Sequence, residues 1–187
     1  MKLEGNNIYI RFLEEGDAEA VLDLQLRNKE FFQKYVSTRS NEFYTLEVQK
    51  QLIKSNNEQS KRDEKYSFGI FEKDTDALIG NIALTEVFRG PLQSCYIGYY
   101  LDLECNGNGY MTEAVSLAVK FGFEEIKLHR IEAGVMPHNL RSMRVLEKAG
   151  FVKEGIARKN VNINGKWEDH QVLAILDEDY KNIKDFI

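Results

Sequence analysis

Apolar and polar positions follow two periods along this chain, and the change of period divides it into elements. IYIRF (8–12) alternates as a half-buried strand does. After Asp17, a capping-type residue, Ala18, Val21, Leu22 and Gln25 share one face of a helix. Thr45 opens a second helix carrying Val48, Leu52 and Ile53, and the polar stretch SNNEQSKRDEK (55–65) reads as its end and a surface loop. Three strand-like runs follow: YSFGIFE (66–72), ALIGNIALTEV (77–87) and SCYIGYYLD (94–102). Lys73-Asp74-Thr75-Asp76 and Arg89-Gly90-Pro91 are turn-formers between them, so the middle of the chain predicts an antiparallel meander.

Past residue 110 the period lengthens. Met111, Ala114, Val115, Ala118, Val119 and Gly122 recur at helical spacing. RIEAGVM (130–136) reads as a strand, and a short helix over 139–149 is stopped by Gly150. FVKEGIARKNVNI and KWEDHQVLAIL, hinged at Asn164-Gly165, form a closing hairpin. The order predicts an α/β (α+β) fold, a mixed and mostly antiparallel sheet of about seven strands flanked by about four helices. A chain of 187 residues accommodates one hydrophobic core, so residues 1–187 are expected to form a single domain.

Composition narrows the function classes. A net charge of −5 argues against a nucleic-acid binder, which needs a basic surface, and is compatible with a basic or amine-bearing partner. Cys95 and Cys105 make neither a disulfide framework nor a metal cluster, and His129, His138 and His170 lack ligand spacing; no metal is expected. The first residues are too polar for a signal peptide and no apolar run reaches membrane-spanning length, so the expected location is cytoplasmic.

The candidate chemistry starts at NGNGYMTEA (106–114). Two glycines spaced by one residue stand at a helix entrance, where several backbone N–H groups have no intrahelical partner. An ordinary tight turn would look the same. No Gly-Lys-Ser/Thr follows and the GxGxxG fingerprint is incomplete, which excludes two familiar nucleotide loops. There remains a strand, a loop of small residues and a helix whose positive end faces it, an arrangement suited to phosphate.

IGYYLDLECNGNGYMTEAVSLAVKFGF with HRIEAGVMPHNLRSMRVLEKAGFVKEG resembles the core of the GNAT superfamily of acetyl-CoA-dependent N-acetyltransferases. Within it the chain resembles the ribosomal-protein-alanine N-acetyltransferase branch, to which IYIRFLEEGDAEAVLDL and GKWEDHQVLAILDEDY are also similar. The family loop reads Gln or Arg, two residues, Gly, one residue, then Gly or Ala. Matching it places Asn106, Gly109 and Met111 at those positions, with Asn106 shorter and uncharged. The resemblance implies that the backbone of Gly107, Asn108, Gly109, Tyr110 and Met111 wraps the pyrophosphate of acetyl-CoA, the cosubstrate. It implies that the backbone around Tyr100 and Leu101 and the side chain of Asn139 contact the pantetheine arm. Ser142 would approach the thioester sulfur and protonate the departing thiolate. From the residues alone, Asn139 and Ser142 read as helix-capping groups.

Direct transfer in a ternary complex needs no enzyme nucleophile. Cys105 is therefore read as a packing residue. By the resemblance, relatives often carry a glutamate where this chain has Tyr96, so no base carries over from it. Glu86, at the end of its strand, is the candidate base, with Glu104, Asp169 and a poised water as other options. Phe31, Phe32, Tyr35 and Trp167 read as core or cleft lining, and Glu14, Glu15, Asp17 and Glu19 as a solvated face or a steering patch. The expected acceptor is a primary amine, foremost the N-terminal amine of a ribosomal protein, with a basic segment. A polyamine or antibiotic amine, and a non-catalytic acyl-CoA-binding module, are the alternatives. The resemblance is also compatible with a homodimer.

Overall fold

The computed structural model describes residues 1–183. In chain order its elements are β1 (Lys2–Glu4), β2 (Ile8–Phe12), α1 (Ala18–Arg27), α2 (Lys29–Phe32), α3 (Leu46–Lys61) and β3 (Tyr66–Glu72). They continue with β4 (Leu78–Phe88), β5 (Ser94–Leu101), α4 (Tyr110–Lys120), β6 (Arg130–Val135), α5 (Leu140–Lys148), β7 (Val152–Ile163), β8 (Lys166–Leu176) and α6 (Asp177–Ile183). Eight strands form one sheet, ordered β1-β2-β3-β4-β5-β6-β8-β7. All neighbours are antiparallel except β5 and β6, joined in parallel through the α4 crossover.

The mixed, mostly antiparallel sheet matches the expectation, with one strand more. β1 escapes the periodicity because three residues cannot establish an alternation; it is held by pairing Leu3 with Ile10. α6 and the single turn α2 are likewise extra, both too short to show a hydrophobic face. In α1 the buried aliphatic is Leu24 rather than Leu22. α3 runs on through the polar stretch to Lys61, because only a narrow stripe around Gln49 and Ile53 is buried. Thr45 caps it, accepting from the N–H of Val48 at 3.4 Å. The closing turn is as read: Asn164 and Gly165 both take positive φ, as a two-residue hairpin loop requires.

Helices cover both faces. α4 and α5 sit over a core that includes Ile10, Phe68, Ile82, Ile97 and Leu146. α1 and α3 cover the other face with Val21, Leu24 and Ile53 against Tyr9, Phe71 and Leu78. Strand alternation divides β5 between them: Ile97 and Leu101 join the α4 side and Tyr100 the α1 side.

The feature that positions the site is where the sheet fails to close. β5 meets β6 only at Ser94↔Arg130, Cys95↔Ile131 and Tyr96↔Glu132. Beyond Tyr96, β5 keeps pairing with β4 as far as Leu101, while β6 keeps pairing with β8 as far as Val135. The two strands diverge and open a gap through the sheet. A bulge in β4 between Thr85 and Phe88, with Glu86 at φ 53°, lies beside the last shared pairs; bulges strengthen local twist.

Candidate active site

The diverging strands are parallel, so both run into helices at the same end of the gap, where parallel sheets bind ligands. After β5 comes a 3-10 turn (Leu103–Cys105), then the glycine loop, then α4. Gly107 and Gly109 adopt φ of 92° and 82°, and a Cβ built on either meets nothing within 4 Å. The glycines serve backbone conformation, and the space above them is open. The first N–H bonded past the loop is that of Glu113, to the Gly109 carbonyl at 3.1 Å; among the described residues the N–H groups of 107–112 have no backbone acceptor. They form, with the helix dipole, a cradle for an anion. Asn106 lies at its edge, but its amide donates to the carbonyls of Asp102 (3.2 Å) and Leu103 (3.1 Å) and so braces the turn.

The cradle is better supplied with charge than the glycine motif alone indicates. Arg141, Arg144 and Lys148 of α5, spaced i, i+3 and i+7, line the same cavity of about 340 Å³ as Gly107, Gly109 and Met111. They form no ion pair among the described residues. Their helical spacing was a legible signal that the reading of α5 as a core helix with two polar contacts passed over. Glycine backbone, free N–H groups and three cations fit the phosphates of a coenzyme A ester.

A second cavity, of about 490 Å³, runs through the gap itself. On the α4/α5 side it is lined by Met111, Asn139 and Ser142; on the α1/α3 side by Gln25, Phe32, Ser67, Asn81 and Tyr100. Asp102 donates its N–H to the Ile79 carbonyl (2.8 Å), so the extended chain turns the N–H of Tyr100 to β4 as well and leaves that of Leu101 facing the gap. This corrects half of the expectation for the strand backbone. Leu101 is available to a ligand arm, whereas the Tyr100 backbone belongs to the ladder and its ring stands on the other face against Phe32 (4.9 Å).

Asn139 caps α5, its Oδ1 accepting from the Ser142 N–H at 3.2 Å, and still borders the cavity. Ser142 Oγ lies 2.9 Å from the hydroxyl of Tyr99. Tyr99 was missed, although the alternation of β5 sends it to the same side as Leu101. Burial pushes the Tyr99 hydroxyl up to about 12 against the opposing Ser142 hydrogen bond, so the pair is a protonated two-hydroxyl chain at neutral pH.

The carboxylates are elsewhere. Among the described residues no Asp or Glu lines the cavity in the gap. Glu86, the expected base, is exposed on the β4 bulge, opposite the start of β5; Tyr99 is at least three residues further along, about 10 Å at strand rise. The positive φ of Glu86 builds the bulge, and its side chain is not among the residues lining the gap cavity. Glu104 is exposed on the 3-10 turn, and Asp169 accepts from the Lys159 N–H (2.8 Å) on the closing hairpin. Trp167 is 57% exposed and lines nothing here, whereas Phe31, Phe32 and Tyr35 do form cleft wall. Burial, with Asp102 and Glu72 nearby, raises the Cys105 thiol, in keeping with a packing role.

One buried carboxylate matters to the site by position. Asp102 ends β5 and accepts from Arg27 Nε at 2.7 Å, tying α1 to the start of the loop. Burial works to raise its carboxyl; Arg27, the Glu104 N–H and Asn28 overcome this and hold it below the usual range.

The comparisons agree with this architecture. Residues 7–152 match the family model described as acetyltransferase (GNAT) domain. The chain is 58% identical over 177 residues to a probable N-acetyltransferase, YjcK, of Bacillus subtilis, covering 95% of this chain and 98% of the relative. It is 30% identical over 180 residues to the ribosomal protein uS5-alanine N-acetyltransferase of Escherichia coli, covering 96% and 93%. The solved ribosomal-protein-S5-alanine acetyltransferase of Vibrio fischeri superposes with a TM-score of 0.90 at 32% identity, covering 96% and 98%. A sheet split at one parallel pair, an anion cradle at the split and these matches lead to one conclusion: the chain belongs to the GNAT family and is an N-acetyltransferase.

Proposed function

We propose that this enzyme acetylates the α-amine of a protein N-terminus, using acetyl-CoA in a ternary complex. The observation that carries the reading is the passage through the sheet: the anion cradle and hydroxyl pair stand on one face, an aromatic cleft on the other, and among the described residues no carboxylate lines the passage. The N–H groups of 107–112 with Arg141, Arg144 and Lys148 bind the pyrophosphate, and Asn139 and the Leu101 N–H guide the arm into the gap. Coenzyme A supplies an activated acyl group on a good leaving sulfur. The amine, entering from the Phe32 and Tyr100 side, attacks the carbonyl carbon. As the C–S bond breaks, Ser142 gives its proton to sulfur and is resupplied through Tyr99. The amine's extra proton leaves to water, so one amide and one thiol form without net proton change.

The missing carboxylate selects the amine. Without a base, the acceptor must bind already unprotonated. At pH 7.5 an α-amine is about one-third free base, a lysine or polyamine amine only about one in a thousand. The uS5-alanine acetyltransferase relative is named for an α-amine acceptor and supports the same class.

The test is release of free thiol from acetyl-CoA by purified protein with alanine- and serine-starting peptides, spermidine, an aminoglycoside, or no acceptor. Release confined to the peptides, with the acetyl group on the α-nitrogen by mass spectrometry, is expected. Faster release with spermidine or the aminoglycoside would move the enzyme to small-amine chemistry.

A further inference from the structure

The acceptor half of the cleft has a charge opposite to that of the protein as a whole. The chain carries −5, yet the titratable groups lining the gap cavity with ionic character are Arg39, Lys65 and Arg141, with no Asp or Glu among its lining residues. Arg141 also lines the phosphate cradle and is accounted for there. Arg39 and Lys65 are not. Neither forms an ion pair among the described residues. Arg39 rests over the ring of Phe43, its guanidinium carbon 5.1 Å from the centroid, which fixes its direction. Lys65 precedes β3 and is half-buried, and burial together with the charge of Arg39 depresses its ammonium.

Two cations lining one cavity, one of them partly desolvated and neither with an ion-pair partner among the described residues, are unfavourable in the unliganded protein. The arrangement becomes favourable when an anion enters between them. Arg offers a planar fork for a carboxylate and Lys a point charge, both suited to that ligand. These two cations favour an acidic acceptor segment over the basic one expected from net charge. The acidic N-terminal cluster does not restore it, since Asp17 is engaged by Arg11 at 2.7 and 2.8 Å and neither Glu14, Glu15 nor Glu19 lines the cleft.

We propose that the acceptor is a peptide N-terminus with an acidic residue shortly after the first position, its carboxylate held by Arg39 and Lys65. This rests on the α-amine reading above and deepens it. The same cations disfavour a neighbouring ammonium, so they keep the bound α-amine in the free-base form that attack requires. They also repel polyamines and aminoglycosides, which carry several positive charges.

The experiment compares alanine-starting peptides of equal length with Glu, Gln or Lys at positions two to four. Wild-type protein is assayed beside Arg39→Glu, Lys65→Glu and the milder Lys65→Gln. A partly buried charge-assisted contact implies a preference of about tenfold or more in kcat/KM for the Glu peptides, carried mostly by KM. Charge reversal at either residue should remove or invert that order, while the thermal shift given by acetyl-CoA stays as in wild type. Equal or better turnover of the Lys peptides by wild-type protein overturns the acidic preference and leaves the α-amine reading standing. An acidic preference unchanged in all three variants overturns the assignment to Arg39 and Lys65. No acetylation of any peptide, with acetyl-CoA still bound, overturns the α-amine reading and this inference with it.

Discussion

The two halves of the cleft recognise their ligands by different means. The half on the α4/α5 side is made from one consecutive stretch, the end of β5, the glycine loop and the start of α4, joined by the first turns of α5. Backbone N–H groups freed by Gly107 and Gly109 stand there beside the side chains of Arg141, Arg144 and Lys148. The half on the α1/α3 side is assembled from Gln25, Phe32, Arg39, Lys65, Asn81 and Tyr100, drawn from separate segments. Here the cavity is lined by side chains rather than by freed backbone N–H groups. A backbone site keeps its ligand through many substitutions, whereas a side-chain site changes ligand when a few charges change. The fold itself is shared with the Vibrio fischeri relative at a TM-score of 0.90 and 32% identity, which leaves most side chains free to differ.

Perturbing each half separately sharpens the contrast. The largest effect is expected at Gly109→Val, where φ of 82° excludes a β-branched residue. A strain of about 1–3 kcal/mol should weaken acetyl-CoA binding by roughly ten- to a hundredfold; calorimetric titration with acetyl-CoA measures it, and unchanged affinity would remove the cradle from the site. Ser142→Ala should lower kcat by about a hundredfold with KM for acetyl-CoA nearly constant, and Tyr99→Phe by about tenfold. Steady-state kinetics separates these outcomes from a binding defect, which would raise KM instead.

Next in size is the clamp that joins the halves. Asp102 is buried beside Arg27, and Asp102→Asn should destabilise the protein by about 1–3 kcal/mol, a figure reduced because Arg27 is partly solvated. Its carboxyl is held below the usual range when folded. The contribution is therefore complete above the unfolded value near 3.9 and is lost as pH falls through the lower folded value. Urea unfolding at pH 7 and pH 3 checks the sign: wild type should lose its advantage over Asp102→Asn at the lower pH. Neutralising Lys148 or Arg144 with Gln should raise KM for acetyl-CoA only a few-fold, more at low salt. The smallest effect belongs to Glu86→Gln, exposed on its bulge, whose pH–rate profile should overlay that of wild type. A lost alkaline plateau would restore it as a base.

Local pattern carried much of the fold. The alternation of IYIRF and the meander strands located β2 to β5 to within about a residue, and the period from Met111 to Gly122 located α4. The glycine loop was legible because positive φ at a helix entrance leaves a compositional mark. Tyr99 was within reach of the same alternation that placed Leu101. Glu86 misled because a polar residue at a strand end looks alike whether it enters a cleft or builds a bulge; register decides, and register depends on the partner strand.

By itself the amino-acid sequence determined most of the elements, their order, the position of the glycine loop at the entrance to α4, and the family. These rest on short-range periodicity and on backbone conformations that only glycine or turn-formers adopt readily. Only the tertiary structure decided that β5 and β6 part after Tyr96, that Tyr99 meets Ser142 across the gap, and that the cleft of an acidic protein is basic. Those facts depend on pairing between distant segments, and a net charge has no direction until folding assigns each side chain to a surface.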